Sequence, residues 1–354
     1  MNWLIYGANG YSGALIAREA QARGLRPILA GRSQSIHALA AELGLEARCF
    51  PLDDRLALSE GLRDVQLVLH CAGPFSATAA PMVSACLQQR SHYLDITGEV
   101  AVFEQIYARH AEAQSCGVLL CPGVGFDVVP TDCLALALLA RMPDASHLRL
   151  GFDSRSGVSP GTAKTSLEAL SAGGLVRESG VLRRVPLGWK SREIDFGDGP
   201  KRAITIPWGD LASAWRSTAI PNIETYVPVS PRLAGRLRTL NWMRPLFGLP
   251  WLQNWIKAWI TARVQGPPSE VRRRQVTWVW GEVENARGER CSARVRTANG
   301  YSVTVSAALG ITEALIGGKH LTAGAFTPAQ LMGAHFVERL PGSTPMQFAD
   351  TVIS

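Results

Sequence analysis

Three glycines spaced three apart, Gly7, Gly10 and Gly13, close a short apolar run (Trp3-Leu4-Ile5-Tyr6) and open a helix-forming one (Ala14-Leu15-Ile16-Ala17). Strand, tight turn and helix in that order form the turn on which a dinucleotide pyrophosphate sits. Gly7 lets the chain reverse, Gly10 lets backbone approach the phosphates, and Gly13 lets helix and strand pack closely. The helix N-terminus adds N–H groups and the positive end of its dipole. A glycine triplet alone is a weak signal, but here a strand and a helix flank it. Gly7, Ala8, Asn9, Gly10, Tyr11, Ser12 and Gly13 are therefore the first candidate cofactor contacts.

The next corner decides which dinucleotide. Arg26-Pro27-Ile28-Leu29-Ala30 reads as a second strand ending at Gly31-Arg32-Ser33. An acid here would accept from a ribose 2′-hydroxyl, whereas a cation and donors take a 2′-phosphate. Arg32 offers a charge-assisted fork, Ser33 adds a hydroxyl, and no acid occupies the corner. Gly31, Arg32 and Ser33 thus predict NADPH. A third strand near 48–52 exits at Asp53, which either accepts from the adenine amino group or caps the helix starting near Leu56. The fourth strand, 65–70, ends in Cys71-Ala72-Gly73-Pro74-Phe75. Of these, Ala72, Gly73, Pro74 and Phe75 are expected to lie against the ribose–nicotinamide half. The fifth, 92–96, opens into Thr97-Gly98-Glu99, and the sixth is 118–121. Helices are expected over 39–43, 78–89 and 102–116. This alternation predicts an α/β chain whose N-terminal Rossmann domain, 1–125, is a doubly wound parallel sheet.

After Pro122-Gly123-Val124-Gly125-Phe126-Asp127 the pattern changes. A helix over 130–141 precedes runs of strand character at 148–153, 203–206, 224–228, 274–283, 292–297 and 303–307. Val276-Thr277-Trp278-Val279-Trp280 and Val303-Thr304-Val305 are rich in β-branched and aromatic residues. Asn299-Gly300 between two such runs signals a hairpin. The expectation is a second α+β domain with a mostly antiparallel sheet over 126–307, serving substrate binding or oligomerisation. Helices over 308–317 and 328–340, within 308–354, return to the first domain.

Composition narrows the function classes. A chain of 354 residues admits about two domains, and 47% hydrophobic with 18% charged residues describes a folded chain. The net charge of +7 comes almost wholly from arginine, scattered except for small clusters at Arg183-Arg184 and Arg272-Arg273-Arg274. That favours anionic small molecules and excludes a nucleic-acid reader, for which no motif is present. Seven cysteines without C-x-x-C spacing read as reduced, buried thiols of a cytoplasmic protein. A strand beginning at residue 2 leaves no room for a signal peptide.

With these pieces placed, the chain resembles the saccharopine dehydrogenase-like NADP-dependent oxidoreductases, in particular the branch that includes trans-acting enoyl reductases. The matching residues are Gly7-Ala8-Asn9-Gly10-Tyr11-Ser12-Gly13, Ala30-Gly31-Arg32, Cys71-Ala72-Gly73-Pro74-Phe75 and His92-Tyr93-Leu94-Asp95-Ile96-Thr97-Gly98-Glu99. The run from Pro122 through Asp127 to Val128-Val129-Pro130-Thr131-Asp132 matches too, as does Gly266-Pro267-Pro268-Ser269-Glu270. The resemblance implies two domains and a nicotinamide cofactor. It favours reduction of a C=C bond in a hydrophobic enoyl or polyketide-type acyl intermediate, free or held on a carrier protein. True saccharopine dehydrogenases begin with a different glycine turn, so an imine or amino-acid oxidoreductase is the alternative. A non-catalytic NADPH-binding sensor or scaffold is another.

Reduction of an enoyl thioester needs a proton for the α-carbon and polarisation of the carbonyl. Tyr93, Asp95, Thr97 and Glu99 lie at a strand's carboxyl end, where such sheets bind ligands. Tyr93 and Asp95 are candidate catalytic groups, and Thr97 and Gly98 candidate cofactor contacts. Asp95 either takes part in catalysis or pins its loop by accepting backbone N–H groups. Asp127, at the domain junction, either takes part in the chemistry or only caps the helix near Pro130. Lys164, after Ser159-Pro160-Gly161, meets a substrate carboxylate or a phosphopantetheine phosphate, or remains a solvated lysine. Tyr301 reads as structural. The seven histidines show no metal-ligand spacing. The stretch 242–260 has Trp251, Trp255 and Trp259 on one helical stripe. It is read as core, as a lid over an acyl chain, or as a peripheral membrane contact. Arg244, Lys257 and two prolines exclude a membrane span. A homodimer is one expected assembly.

Overall fold

The structure is a computed structural model. It describes residues 1–154, 159–161, 163, 167, 171, 173–230, 232, 236, 241–244, 246–247, 249–264, 266–319 and 321–351. Two compact units divide the chain: residues 1–129 with 301–332, and residues 130–300 with 333–354.

In the first unit, β1 (Trp3–Tyr6), β2 (Ile28–Gly31), β3 (Ala47–Cys49), β4 (Leu67–His70), β5 (His92–Asp95) and β6 (Leu119–Cys121) are joined by Gly324–Ala325. The order is Gly324–Ala325, β6, β5, β4, β1, β2, β3, and all pairs are parallel. Every residue of β1, β2 and β4 is buried, as expected of strands with helices on both faces. Those helices include α1 (Tyr11–Ala22), α2 (Ile36–Leu43), α3 (Arg55–Gly61), α4 (Phe75–Gln89), α5 (Val100–Ala108) and α6 (His110–Cys116). The single helix expected over 102–116 is two, separated at Arg109, whose backbone (φ −89°, ψ 13°) leaves the helical register. The strand order reverses between β1 and β4. Their ends run side by side, Tyr6 opposite His70, with Cys71 N donating to Tyr6 O at 2.7 Å.

The expected hairpin at Asn299-Gly300 is instead the start of a helix, Gly300–Ile316. Val303, Ala307, Ala308, Leu309, Ile311 and Leu315 are all buried in it. Burial around this helix outweighs the strand preference of Val303-Thr304-Val305. The predicted boundaries move accordingly, from 125 to 129 and from 307 to 300. The predicted C-terminal segment 308–354 is divided. Gly324–Ala325 extends the first sheet, whereas Gln347–Thr351 pairs in the second. The helix expected over 328–340 is Pro328–Met332 followed by a 3-10 turn, Val337–Arg339, with Gly333 at φ +84° between them.

The second unit holds α7 (Val129–Arg141) and a nine-stranded sheet among its described residues. Its strands are β7 (Ala145–Ser154), β8 (Gly174–Glu178), β9 (Val181–Val185), β10 (Ser191–Asp195), β11 (Pro200–Thr205), β12 (Asn222–Pro228), β13 (Val276–Asn285), β14 (Arg290–Ala298) and Gln347–Thr351. The path runs β10, β11, β12, β7, β13, β14, Gln347–Thr351, with β8 bonded to β12 and β9. Only the β12–β7 pair is parallel. A Cβ added at Gly281 would lie 2.9 Å from Leu138 and 3.1 Å from Leu134, so α7 lies on that face of β13. The opposite face carries Trp280, Tyr226, Phe196 and Ile194. Beside them, Arg149 bonds Glu282 at 3.0 Å and Glu284 at 2.8 Å.

Candidate functional site

The reversal of strand order opens a crevice at the carboxyl ends of β1 and β4, the place where open parallel sheets hold ligands. Gly7 has φ +80°, and a Cβ there would lie 2.7 Å from Ala72 N, so the turn after β1 fits against the loop after β4 only as glycine. Gly7 N and Ala8 N both donate to Ala30 O, at 2.8 and 3.2 Å, tying the turn to β2. At Gly13 an added Cβ would lie 2.3 Å from Gly7 O. The helix therefore starts directly against the strand. Gly10 is the N-cap of α1, and no side chain caps it. The first-turn N–H groups thus face the crevice mouth, as an anion requires. Tyr301 packs edge-on against Tyr11 at 5.0 Å between ring centroids, bringing the Gly300–Ile316 helix beside the turn.

At the β2 corner Gly31 is buried and Arg32 and Ser33 are exposed. Asn9 Nδ2 donates to Ser35 Oγ at 2.9 Å, and Ser35 Oγ to Ser33 Oγ at 3.1 Å, so the turn and the corner form one polar rim. Arg32 and Asp53 both act on the Tyr6 hydroxyl. Burial raises that hydroxyl to about 12, Arg32 opposes the rise, and Cys49 and Asp53 add to it. Asp53 is exposed at the exit of β3. The helix cap weighed for it belongs to its neighbour: Asp54 Oδ1 accepts from Leu56 N at 2.9 Å and Ala57 N at 3.1 Å.

The loop after β4 is held from two sides. Glu99 reaches across to accept from Phe75 N and Ser76 N, both at 2.8 Å, and so caps α4. Thr78 Oγ1 donates to Ala72 O at 2.6 Å. Its single hydrogen is then used, so His70 Nε2–H donates to Thr78 Oγ1 at 3.0 Å. Burial depresses His70 to about 3, which keeps it neutral. Ala72, Gly73, Pro74 and Phe75 thus have a fixed course from both flanks.

Tyr93 and Asp95, the candidate catalytic pair, are both fully buried. Asp95 Oδ2 accepts from the Tyr93 hydroxyl at 2.7 Å, and Oδ1 from Thr97 N at 2.9 Å and Gly123 N at 2.8 Å. Burial raises the Asp95 carboxyl to about 6 against the pull of those donors. Of the two roles weighed for Asp95, this geometry is that of a pin joining the 95–97 loop to the β6 exit. Thr97 is buried too, and its Oγ1 accepts from Glu99 N at 3.1 Å. Asp95→Asn should cost about 1 to 2 kcal/mol in urea unfolding, since it misplaces one donor against the Tyr93 hydroxyl. NADPH affinity should stay within about threefold, well under 1.4 kcal/mol. Lost turnover with unchanged stability would restore the catalytic role.

Asp127 is the acid whose role the sequence leaves open. Its Oδ2 would stand 3.0 Å from a Cβ at Gly98, so the carboxyl lies on the Gly98 backbone at the sheet's carboxyl edge. Burial raises it to about 7. Beside it, Thr304 Oγ1 accepts from Phe126 N at 3.0 Å. Lys164 lies outside the described residues. Among the described residues no group of three or more His, Cys, Asp or Glu could hold a metal ion. None of their helices is long and apolar enough to cross a membrane.

Residues 3–121 match the saccharopine dehydrogenase NADP-binding domain family. That stretch lies within the first unit. A putative trans-acting enoyl reductase of Mycobacterium tuberculosis is 34% identical over 183 residues, 48% of this chain and 44% of the relative. A probable mitochondrial saccharopine dehydrogenase-like oxidoreductase of Arabidopsis thaliana is 33% identical over 149 residues, 36% of this chain and 32% of the relative. The chain spans less than half the length of these curated relatives. Apo saccharopine dehydrogenase (L-Glu forming) of Saccharomyces cerevisiae superposes with a TM-score of 0.68 at 11% identity. It covers 98% of this chain and 99% of that one, a likeness of fold. The glycine turn, the Arg32 corner and the crevice all lie within the matched stretch. NADPH fits this cradle, because the close contacts at Gly7 and Gly13 leave backbone, not side chains, lining the turn.

Proposed function

We propose that the chain is an NADPH-dependent oxidoreductase that reduces the C=C bond of a hydrophobic enoyl or polyketide-type acyl intermediate, free or bound to a carrier protein. Bound NADPH supplies the hydride. The chain's own part is to orient the cofactor and to protonate the α-carbon. Asp127 carries this reading: a carboxyl held protonated up to about pH 7 at the ligand-binding edge of the sheet suits proton donation. Relatives named trans-acting enoyl reductases support the substrate class. The reading extends to a homodimer and to a peripheral membrane contact through 242–260.

Turnover should fall as pH rises through about 7, and Asp127→Asn should be slow and lack that limb. The stability sign agrees. A carboxyl raised above its unfolded value of about 3.9 stabilises the fold fully below that value and loses this contribution as pH climbs through about 7. Melting curves of wild type and Asp127→Asn should therefore diverge between those two pH values. Anaerobic NADPH oxidation with a panel of enoyl thioesters and imino acids tests the reaction. Acceleration by imino acids alone would make the chain a saccharopine-type imine or amino-acid oxidoreductase. Tight NADPH binding without oxidation by either class would make it a sensor or scaffold.

A further inference from the structure

The Pro250–Arg263 helix turns its tryptophans outward. Trp251, Trp255 and Trp259 are 67%, 66% and 52% exposed, and nearby Trp242 is 82% exposed. The side towards the second unit is Leu252, Ile256 and the buried Ile260, with Gln253 Nε2 donating to Ser171 Oγ at 3.2 Å. The core reading of this stripe is thereby corrected. The apolar side chains that pack are its neighbours, one step round the helix.

The charge of the surrounding sequence is equally one-sided. No Asp or Glu occurs between Glu224 and Glu270. Residues 231–275 hold nine Lys and Arg against Glu270 alone, a net of +8 in a chain whose total is +7. All other residues together are therefore net negative by one, so the basic charge is concentrated here rather than scattered. Arg232, Arg236, Arg263, Arg273 and Arg274 are exposed. Tryptophan is the side chain that settles at a lipid headgroup boundary, apolar ring inward and N–H outward. Amphipathic helices with basic surroundings lie in that boundary without crossing it. A second copy of the chain would bring two strongly positive faces together, which they resist. A lid over a neutral acyl chain has no use for the charge.

We propose that the Pro250–Arg263 helix lies flat on an anionic phospholipid surface, with Trp251, Trp255 and Trp259 at headgroup level and the flanking arginines against the anionic lipids. The proposal does not depend on the reductase reading. If both hold, the acyl substrate is drawn from the bilayer on which the protein sits.

Co-sedimentation of the full chain with vesicles tests it. Vesicles of phosphatidylcholine with about a third phosphatidylglycerol should bind at least about tenfold more tightly than phosphatidylcholine alone, and salt near 0.5 M should weaken binding several-fold. Replacing Trp251, Trp255 and Trp259 together by Gln should reduce binding by at least about tenfold. Trp255→Gln alone should reduce it by about threefold, leaving NADPH titration and melting temperature nearly unchanged. Arg273→Glu with Arg274→Glu should abolish the preference for phosphatidylglycerol. A wild-type protein that stays in the supernatant, or a triple variant that sediments like wild type, would overturn the proposal. So would a large fall in melting temperature for Trp255→Gln, which would return the stripe to the core. A triple variant that turns a dimer into a monomer would make the stripe a contact between copies, and that also overturns it. Vesicle binding without enoyl thioester turnover would leave this inference standing and remove the reductase reading alone.

Discussion

Gly10→Val should lower NADPH affinity by about a thousandfold, close to 4 kcal/mol, while leaving the fold intact. The two halves of this expectation come from different contacts. A Cβ at Gly10 meets only Gly7 O, at 3.2 Å, and the backbone there (φ −75°, ψ 166°) is one that valine adopts readily. The folded chain has to give by only a few tenths of an ångström at Gly7 O. The isopropyl group would instead occupy the space in front of the α1 N-terminus, where the pyrophosphate must touch backbone. Gly13→Val makes the contrast, since its Cβ would fall 2.3 Å from Gly7 O and force helix and strand apart. The first variant should melt like wild type and fail to bind; the second should melt early. Fluorescence titration of Gly10→Val with a wild-type NADPH curve would remove the pyrophosphate site from this turn.

Arg32→Glu should weaken NADPH binding tenfold to a thousandfold, about 1.4 to 4 kcal/mol, with little change in NADH binding. Arg32 is exposed at the β2 corner, and among the described residues no ion pair engages it. Its guanidinium is available for a bidentate phosphate contact. A glutamate there loses that contact and sets a carboxylate at the corner, so the 2′-phosphate meets repulsion. Isothermal titration of wild type and variant with both cofactors measures the switch. Equal wild-type affinity for NADH and NADPH would mean that this corner does not read the phosphate.

What the amino-acid sequence discloses depends on whether a residue's role is local. The glycine turn is legible because strand, turn and helix follow one another within residues 3–22 and each step has its own chemistry. Parallel strands buried on both faces stand out as apolar runs, as β1, β2 and β4 do, and β3 is foreseen only from its place in the alternation. In contrast, β8, β9 and β10 hide in an arginine-rich stretch where Arg177, Arg183, Arg184 and Arg192 interrupt any alternation. Asn299-Gly300 misleads because its dipeptide chemistry suits a tight turn, while the helix after it is fixed by distant packing. Acids are the hardest case. Asp53 and Asp54 differ by one position, and only the backbone shows which one caps. Asp95 and Asp127 both follow strands. That Asp95 accepts from Gly123 N and Asp127 lies on Gly98 depends on segments distant in the sequence coming together. Periodicity shows that Trp251, Trp255 and Trp259 share a stripe, but not which side of the helix meets the protein.

The division of the first unit into residues 1–129 and 301–332 has a consequence for biosynthesis. The strand Gly324–Ala325, which covers the edge of β6, and the helix that sets Tyr301 against Tyr11 emerge from the ribosome only after residues 130–300 of the second unit. At ordinary elongation rates that gap lasts about ten to thirty seconds. Through that interval the nascent sheet presents a bare parallel edge, the kind of edge that pairs with foreign strands. The nucleotide cradle is thus among the first parts of the chain to be made and among the last to be complete, which makes this an interval in which a chaperone would be of use.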